Sequence, residues 1–248
     1  MNVIFIAGGT GGHVYPALSI AKKFKNQKNS IIWIGKEDSL ESRISSEEKF
    51  LFYPINGRGF LGKSFFGKII SLYFFVMAMI RSIFLFSKIQ PDIIVSTGGY
   101  VSFAPSLIGS LFCPLFIHEQ NSIAGLTNKI LHRFSRVTFE AFPGTFHKFS
   151  NKVICTGNPV RDDISKLADS NKTDQSIFKV LVLGGSQGSK QINDILAKTL
   201  EDNKVPANWS FLHQAGKLDK SDLKAAYKKS GVEFEVKDYI EKMDDAYQ

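Results

Sequence analysis

Two stretches of the chain share one plan, and that plan restricts the fold more than any other feature. Val3 to Ala7 is a short apolar run that ends in GGTGGH, Gly8 to His13. Phe178 to Leu183 is a second run, and it ends in GGSQG, Gly184 to Gly188. A helical stretch follows each, from about Pro16 to Phe24 and from Lys190. Strand, glycine turn and helix in this order open a parallel α/β unit. The turn leaves backbone N–H groups unscreened by any Cβ. A diphosphate or a sugar hydroxyl can approach, and the helix N-terminus adds positive potential. Two copies point to two doubly wound domains with a ligand in the cleft between them.

Further strands are expected at Ser30 to Ile34, Asp92 to Ser96, Leu115 to His118 and Val153 to Thr156. Glycines follow several of them, where parallel sheets place ligands. The segment from Ser165 to Gln175 is polar and reads as a linker, so the domains are expected at 1–163 and 164–248. After Ile164 about 85 residues remain, enough for roughly three strands, the last near Glu233 to Val236. An open sheet of that size buries little core. The chain stops within a stretch of helical character, and the second domain reads as incomplete.

The glycine loops exclude several nucleotide sites. A dinucleotide fingerprint needs G-x-G-x-x-G. Counting from Gly9 puts Val14 at its last position, and counting from Gly8 puts Thr10 at its second glycine. Glu37 and Asp38 match the ribose-binding acid only weakly, and there is no GxxxxGK[ST]. Gly184 to Gly188 does fit G-x-S-x-G, with Asp202 and His213 following in hydrolase order. Too little chain follows to hold such a triad.

The net charge is +8 and the pI about 9.3, which favours anionic partners. Nucleic acid is not among those expected. The basic residues are scattered among acids, and no nucleic-acid-binding pattern appears. Cys113 and Cys155 have no CxxC spacing, which fits idle thiols in a reducing compartment. The opening apolar run is short and lacks a basic flank, so no cleavable signal is expected.

Phe65 to Ile89 is the most apolar segment, FFGKIISLYFFVMAMIRSIFLFSKI. From Ile69 to Ile80 about twelve residues run before Arg81, whereas a membrane span needs about 20. Lys63, Lys68, Arg81 and Lys88 punctuate the run. An interfacial segment meeting anionic headgroups fits this pattern, and a buried core helix is the alternative.

Five segments in order carry a family resemblance. They are GGTGGHVYPALS (Gly8 to Ser19), STGGYVSFAP (Ser96 to Pro105), HEQNSIAGLTNK (His118 to Lys129), TGNPVR (Thr156 to Arg161) and GGSQGSKQIN (Gly184 to Asn193). Together they resemble the MurG family of bacterial glycosyltransferases. The resemblance implies an α/β GT-B fold, two Rossmann-like domains facing a cleft, with the second incomplete here. It implies inverting transfer of GlcNAc from UDP-GlcNAc to undecaprenyl-diphosphoryl-MurNAc-pentapeptide (lipid I), giving lipid II for peptidoglycan. The location implied is the cytoplasmic face of the cell membrane, held peripherally through about Phe65 to Ile89 against an anionic surface. A shortened, non-catalytic module that only holds lipid I is the alternative.

Carried over by motif, Thr10, Gly11, Gly12, Asn121, Arg161, Ser186 and Ile240 would bind substrate. His13 and Glu119 are the candidate catalytic groups, one of them a base for the acceptor hydroxyl. Arg161 offers a planar fork suited to a diphosphate, or else closes a surface turn. Glu119 is equally open to a loop-capping role. No cofactor and no metal are expected. Asp162 and Asp163 are adjacent and lack D-x-D spacing, so the leaving UDP is expected to rely on helix ends and arginine.

Overall fold

The computed structural model describes residues 1–57, 59, 64–146, 151–169, 177–185, 187–202 and 205–247. The chain divides into two compact units, Met1–Arg161 and Asp162–Gln248.

In the first unit the chain alternates strands and helices. In order they are β1 (Asn2–Ala7), α1 (Gly11–Asn26), β2 (Ser30–Gly35), α2 (Leu40–Glu47), β3 (Leu51–Pro54), α3 (Phe65–Ile89), β4 (Ile93–Gly98), α4 (Phe103–Gly109), β5 (Leu115–Glu119), α5 (Leu126–Leu131), β6 (Val137–Glu140) and β7 (Val153–Cys155). The seven strands form one parallel sheet in the order β3-β2-β1-β4-β5-β6-β7. The order reverses between β1 and β4. This is the switch point of a doubly wound sheet, where ligands bind beyond the carboxyl ends of the strands.

The period-two alternation of β1 explains the double winding. Val3, Phe5 and Ala7 face a cluster containing Val14, Ala17, Leu18 and Ile44 from α1 and α2. Ile4 and Ile6 face the opposite cluster, with Ala78, Phe86, Ala104 and Ile108 from α3 and α4. On the first face Trp33 stacks between Phe5 and Phe50, and its indole N–H donates to the Ala7 carbonyl at 3.2 Å. That bond ties the residue before the first glycine loop to the core.

α1 begins at Gly11, five residues earlier than the expected start at Pro16. Here Pro16 lies in the second turn, so the Gly12 carbonyl has no N–H four residues on. β3 and β6 are additional to the strands expected; both are four residues long.

The apolar helix α3 is built in reverse of an ordinary surface helix. Its buried residues are Ser71, Ala78, Ser82 and Phe86, a narrow seam at helical spacing. Ser71 and Ser82 return their hydroxyls to backbone carbonyls at Gly67 and Ala78, so small groups can be buried at little cost. Its large side chains point outward: Phe65, Phe66, Ile69, Leu72, Tyr73 and Phe84 are all exposed. The core-helix alternative therefore fails for most of this segment. By length and composition alone the helix could cross a membrane. Phe75 stacks on Phe103 at 5.5 Å and belongs to the inner side.

The second unit opens with a short helix, α6 (Asp162–Ser165), and a 3-10 turn at Lys166–Asp169. The front of the expected linker is thus helical; residues 170–176 lie outside the described residues. β8 (Phe178–Leu183), α7 (Lys190–Glu201), β9 (Trp209–Gln214), α8 (Ser221–Ser230), β10 (Glu233–Lys237) and α9 (Met243–Tyr247) follow. The three strands are parallel in the order β10-β9-β8. Leu200, Phe211, Leu223 and Tyr227 form its core.

Candidate active site

In the first unit the site residues gather at the switch point. Gly8 to Gly12 leave the end of β1, and Thr10 is the N-cap residue of α1, with no capping bond from its side chain. The N–H groups of Gly11 and Gly12 open the helix. His13 follows in the first turn.

The pairing of β1 with β4 slips at this point. Ile6 pairs with Ser96, but Ala7 pairs with Gly98, so Thr97 is bulged out of register. Bulges recur beside active sites because they re-aim a residue. Here the Thr97 hydroxyl donates to the His13 carbonyl at 2.8 Å, and the Thr97 carbonyl lies 2.9 Å from His13 Nδ1. Gln120 Oε1 lies 3.0 Å from the same nitrogen. Both neighbours are acceptors, so Nδ1 carries the proton in neutral His13. Nε2 then holds a bare lone pair, the state a general base requires.

Glu119, at the end of β5, is in a different situation. It is fully buried, and its carboxylate is saturated. Oε1 accepts from the Asn121 N–H and the Asn121 Nδ2, each at 3.0 Å. Oε2 accepts from the Gly125 N–H and from Asn128 Nδ2, each also at 3.0 Å. Four donors on two oxygens leave no lone pair for a substrate proton. In this arrangement Glu119 organises the loop into α5. Asn121, an expected substrate contact, is exposed apart from that tie.

Beneath the first loop, buried Glu41 accepts from the Lys36 N–H at 3.0 Å, and its other oxygen has no partner. The guanidinium of Arg161 lies 5.9 Å from the ring centroid of Tyr15, which places it beside α1.

In the second unit the glycine loop is locked by β9. Gln214 donates from Nε2 to the Gly185 carbonyl at 2.8 Å, and its Oε1 accepts from the Ile240 N–H at 2.8 Å. One side chain thereby fixes both the loop and the segment carrying Ile240, whose own side chain is buried. Ser189 caps α7 by accepting from the Ile192 N–H at 3.3 Å. Ser186 lies outside the described residues. His213, the last member of the hydrolase-like pattern, is fully buried, and its ring nitrogens face Asn193 and Tyr227. That rules it out as the exposed base of a triad.

His118 and His213 are both pushed below the ordinary imidazole value by burial, His213 to about 4. Each is neutral at physiological pH.

Thr97, Gln120, Asn128 and Gln214 join the site although the sequence reading did not single them out. The first three lie inside the quoted motifs. Gln214 carries no signal beyond ending a strand.

Two parallel α/β units, each with a glycine loop at the carboxyl edge of its sheet, are the building blocks of the GT-B fold. Residues 3–139 match the N-terminal domain of glycosyltransferase family 28, and residues 179–248 match its C-terminal domain. The chain belongs to glycosyltransferase family 28. It is 33% identical over 251 residues to the UDP-N-acetylglucosamine–N-acetylmuramyl-(pentapeptide) pyrophosphoryl-undecaprenol N-acetylglucosamine transferase of Shewanella frigidimarina, covering 100% of this chain and 68% of that protein. The transferase of the same name from Francisella tularensis is 40% identical over 237 residues, covering 92% of this chain and 64% of that one. The crystal structure of MurG from Acinetobacter baumannii superposes with a TM-score of 0.73 at 29% identity, covering 99% of this chain and 70% of that one. The chain thus spans about two thirds of the length of these relatives.

Proposed function

We propose that this chain transfers GlcNAc from UDP-GlcNAc to lipid I with inversion, forming lipid II for peptidoglycan. The observation that carries the reading is His13, held at the switch point with Nε2 bare. In the proposed reaction the acceptor hydroxyl gives its proton to His13 Nε2 as its oxygen attacks the anomeric carbon. The bond from that carbon to the UDP oxygen breaks, and UDP takes the electron pair. The N–H groups of Thr10, Gly11 and Gly12 and the guanidinium of Arg161 meet the developing charge. Asn121 contributes a polar contact to substrate. In the second unit, Ser186 and Ile240 would contact the donor. The named activity of the relatives supports the substrates, and Glu119 takes a positioning role.

Attachment to the membrane rests on α3. Its outward side carries large apolar groups together with Lys68, Arg81 and Lys88, and the helix contains no acid. Apolar groups beside cations suit the plane of an anionic bilayer surface. The buried seam from Ser71 to Phe86 argues for a helix lying on the membrane, since a spanning helix would forfeit that packing. The protein would then work at the cytoplasmic face of the membrane.

The test is transfer of labelled GlcNAc to lipid I by wild type and His13→Gln. A loss of about 10²- to 10⁴-fold, the usual worth of a positioned base, is expected. Undiminished transfer by the variant removes His13 from the mechanism. No transfer by wild type, with lipid I still bound, restores the non-catalytic module.

A further inference from the structure

Behind His13 runs a chain of hydrogen bonds whose direction is determined at its far end. The carbonyl of Gly157, in the loop after β7, lies 3.0 Å from His118 Nε2. A carbonyl only accepts, so His118 carries its proton on Nε2 and Nδ1 is bare. Gln120 Nε2 stands 3.2 Å from that Nδ1 and donates to the His118 carbonyl at 3.0 Å. Turning the amide over would set two oxygens against each other, so its NH₂ points to His118 and its Oε1 to His13. Oε1 then accepts from His13 Nδ1 at 3.0 Å. His118 and Gln120 are both buried, and water does not compete for these bonds. Asn158 Nδ2 donates to the Gln120 carbonyl at 3.3 Å and ties the two ends together.

The two histidines therefore hold opposite tautomers, coupled through one amide. We propose that Gln120 and His118 are positioning residues. Anchored by the Gly157 carbonyl, they hold His13 with its proton on Nδ1 and its lone pair on Nε2. A histidine side chain in water prefers its proton on Nε2, so the arrangement must be imposed. Thr97 O supplies one acceptor, and Gln120 Oε1 supplies the second. A flip of the ring would place a carbon against both and lose both bonds. The loop after β7 thereby bears on the base at the start of α1. This rests on the reading of His13 as the base.

The tautomers are read directly from the ring nitrogens of the whole, ¹⁵N-labelled chain by long-range ¹H–¹⁵N correlation at about pH 8, where imidazole is neutral. His13→Gln and His118→Gln assign the two signal sets. The expected result is a bare Nε2 on His13 and a bare Nδ1 on His118. In Gln120→Met, close in shape but without polar atoms, the ratio of Nδ1–H to Nε2–H forms of His13 should drop about two- to tenfold, the worth of one hydrogen bond. His118, still anchored on Gly157, should keep its tautomer, and this separates lost positioning from a disordered site. A wild-type His13 protonated on Nε2 overturns the proposal. So does a His13 pattern unchanged in Gln120→Met. Because the readout needs no substrate, it stands apart from the transfer assay: transfer undiminished in His13→Gln refutes the functional reading and leaves the tautomers as measured.

Discussion

Gly99 is pressed against Gly8: a Cβ on Gly99 would overlap the Gly8 carbonyl oxygen. The loop after β4 and the loop after β1 thus meet backbone to backbone, which no other residue type permits at this point. Gly99 also adopts φ +93, a conformation that strains side-chain-bearing residues. Gly99→Ala should therefore cost about 1–3 kcal/mol of stability from strain alone and displace the first glycine loop. Gly231 is the control, since it has φ +72 but open space where its Cβ would stand. Gly231→Ala should cost about 1 kcal/mol. Denaturant titration of both variants measures the difference. Equal costs would mean that the two loops can part freely.

Glu119→Gln separates a base from a positioning carboxylate. The amide offers one acceptor oxygen where the native group offers two, and its NH₂ faces two donors. Two charge-assisted bonds are lost, so stability should fall by about 2–4 kcal/mol. The transfer that remains should keep the wild-type pH profile. Abolished transfer with unaltered stability would instead make Glu119 the base.

Much of this was legible in the chain itself. Val3 to Ala7 and Phe178 to Leu183 are apolar runs closed by glycines, and both are strands leading into helices. Arg161 and His13 lie in motifs, and the structure sets Arg161 beside α1. What local pattern could not convey was pairing. The Thr97 bulge comes from a slip between β1 and β4, about 90 residues apart, and nothing in STGG marks it. Glu119 and His13 looked equivalent as candidate bases because both are titratable groups in motifs. Only the count of donors around each separates them. α3 misled in another way. Its apolar length is plain, but its inner face is set by Ser71 and Ser82, so hydropathy alone points to the wrong side. Hydropathy does not distinguish Phe75 from Phe84, yet Phe75 stacks on Phe103 within the fold while Phe84 is exposed.

The corrected face of α3 makes a sharper membrane test. Phe65, Phe66 and Phe84 are more than 70% exposed. The triple change to Ser should leave the fold intact and weaken binding to anionic vesicles at least about tenfold, since each buried aromatic contributes about 1.5–3 kcal/mol. Phe75→Ser should instead lower the unfolding midpoint. Binding should weaken with added salt, because Lys68, Arg81 and Lys88 face solvent. Sedimentation with vesicles measures the two binding effects, and denaturant titration measures the Phe75→Ser midpoint. Unchanged partitioning of the triple variant would remove α3 from the membrane contact.

The second unit should lose stability in mild acid because of His213. Burial holds it down to about 4, against an ordinary value of 6.5. Above 6.5 both folded and unfolded chains keep it neutral, and its contribution is fully present. Between 6.5 and about 4 only the unfolded chain takes up the proton, so stability falls with each step towards acid. Below about 4 both states are protonated and the slope from this group ends. Trp209 borders this core and reports on it once Trp33→Phe leaves it the only tryptophan. In that background the urea midpoint followed by Trp209 fluorescence should fall between pH 6.5 and 4. His213→Gln keeps hydrogen-bonding capacity towards Asn193 and Tyr227 but cannot titrate, and it should flatten the fall. A slope as steep as before would assign the acid sensitivity to other groups.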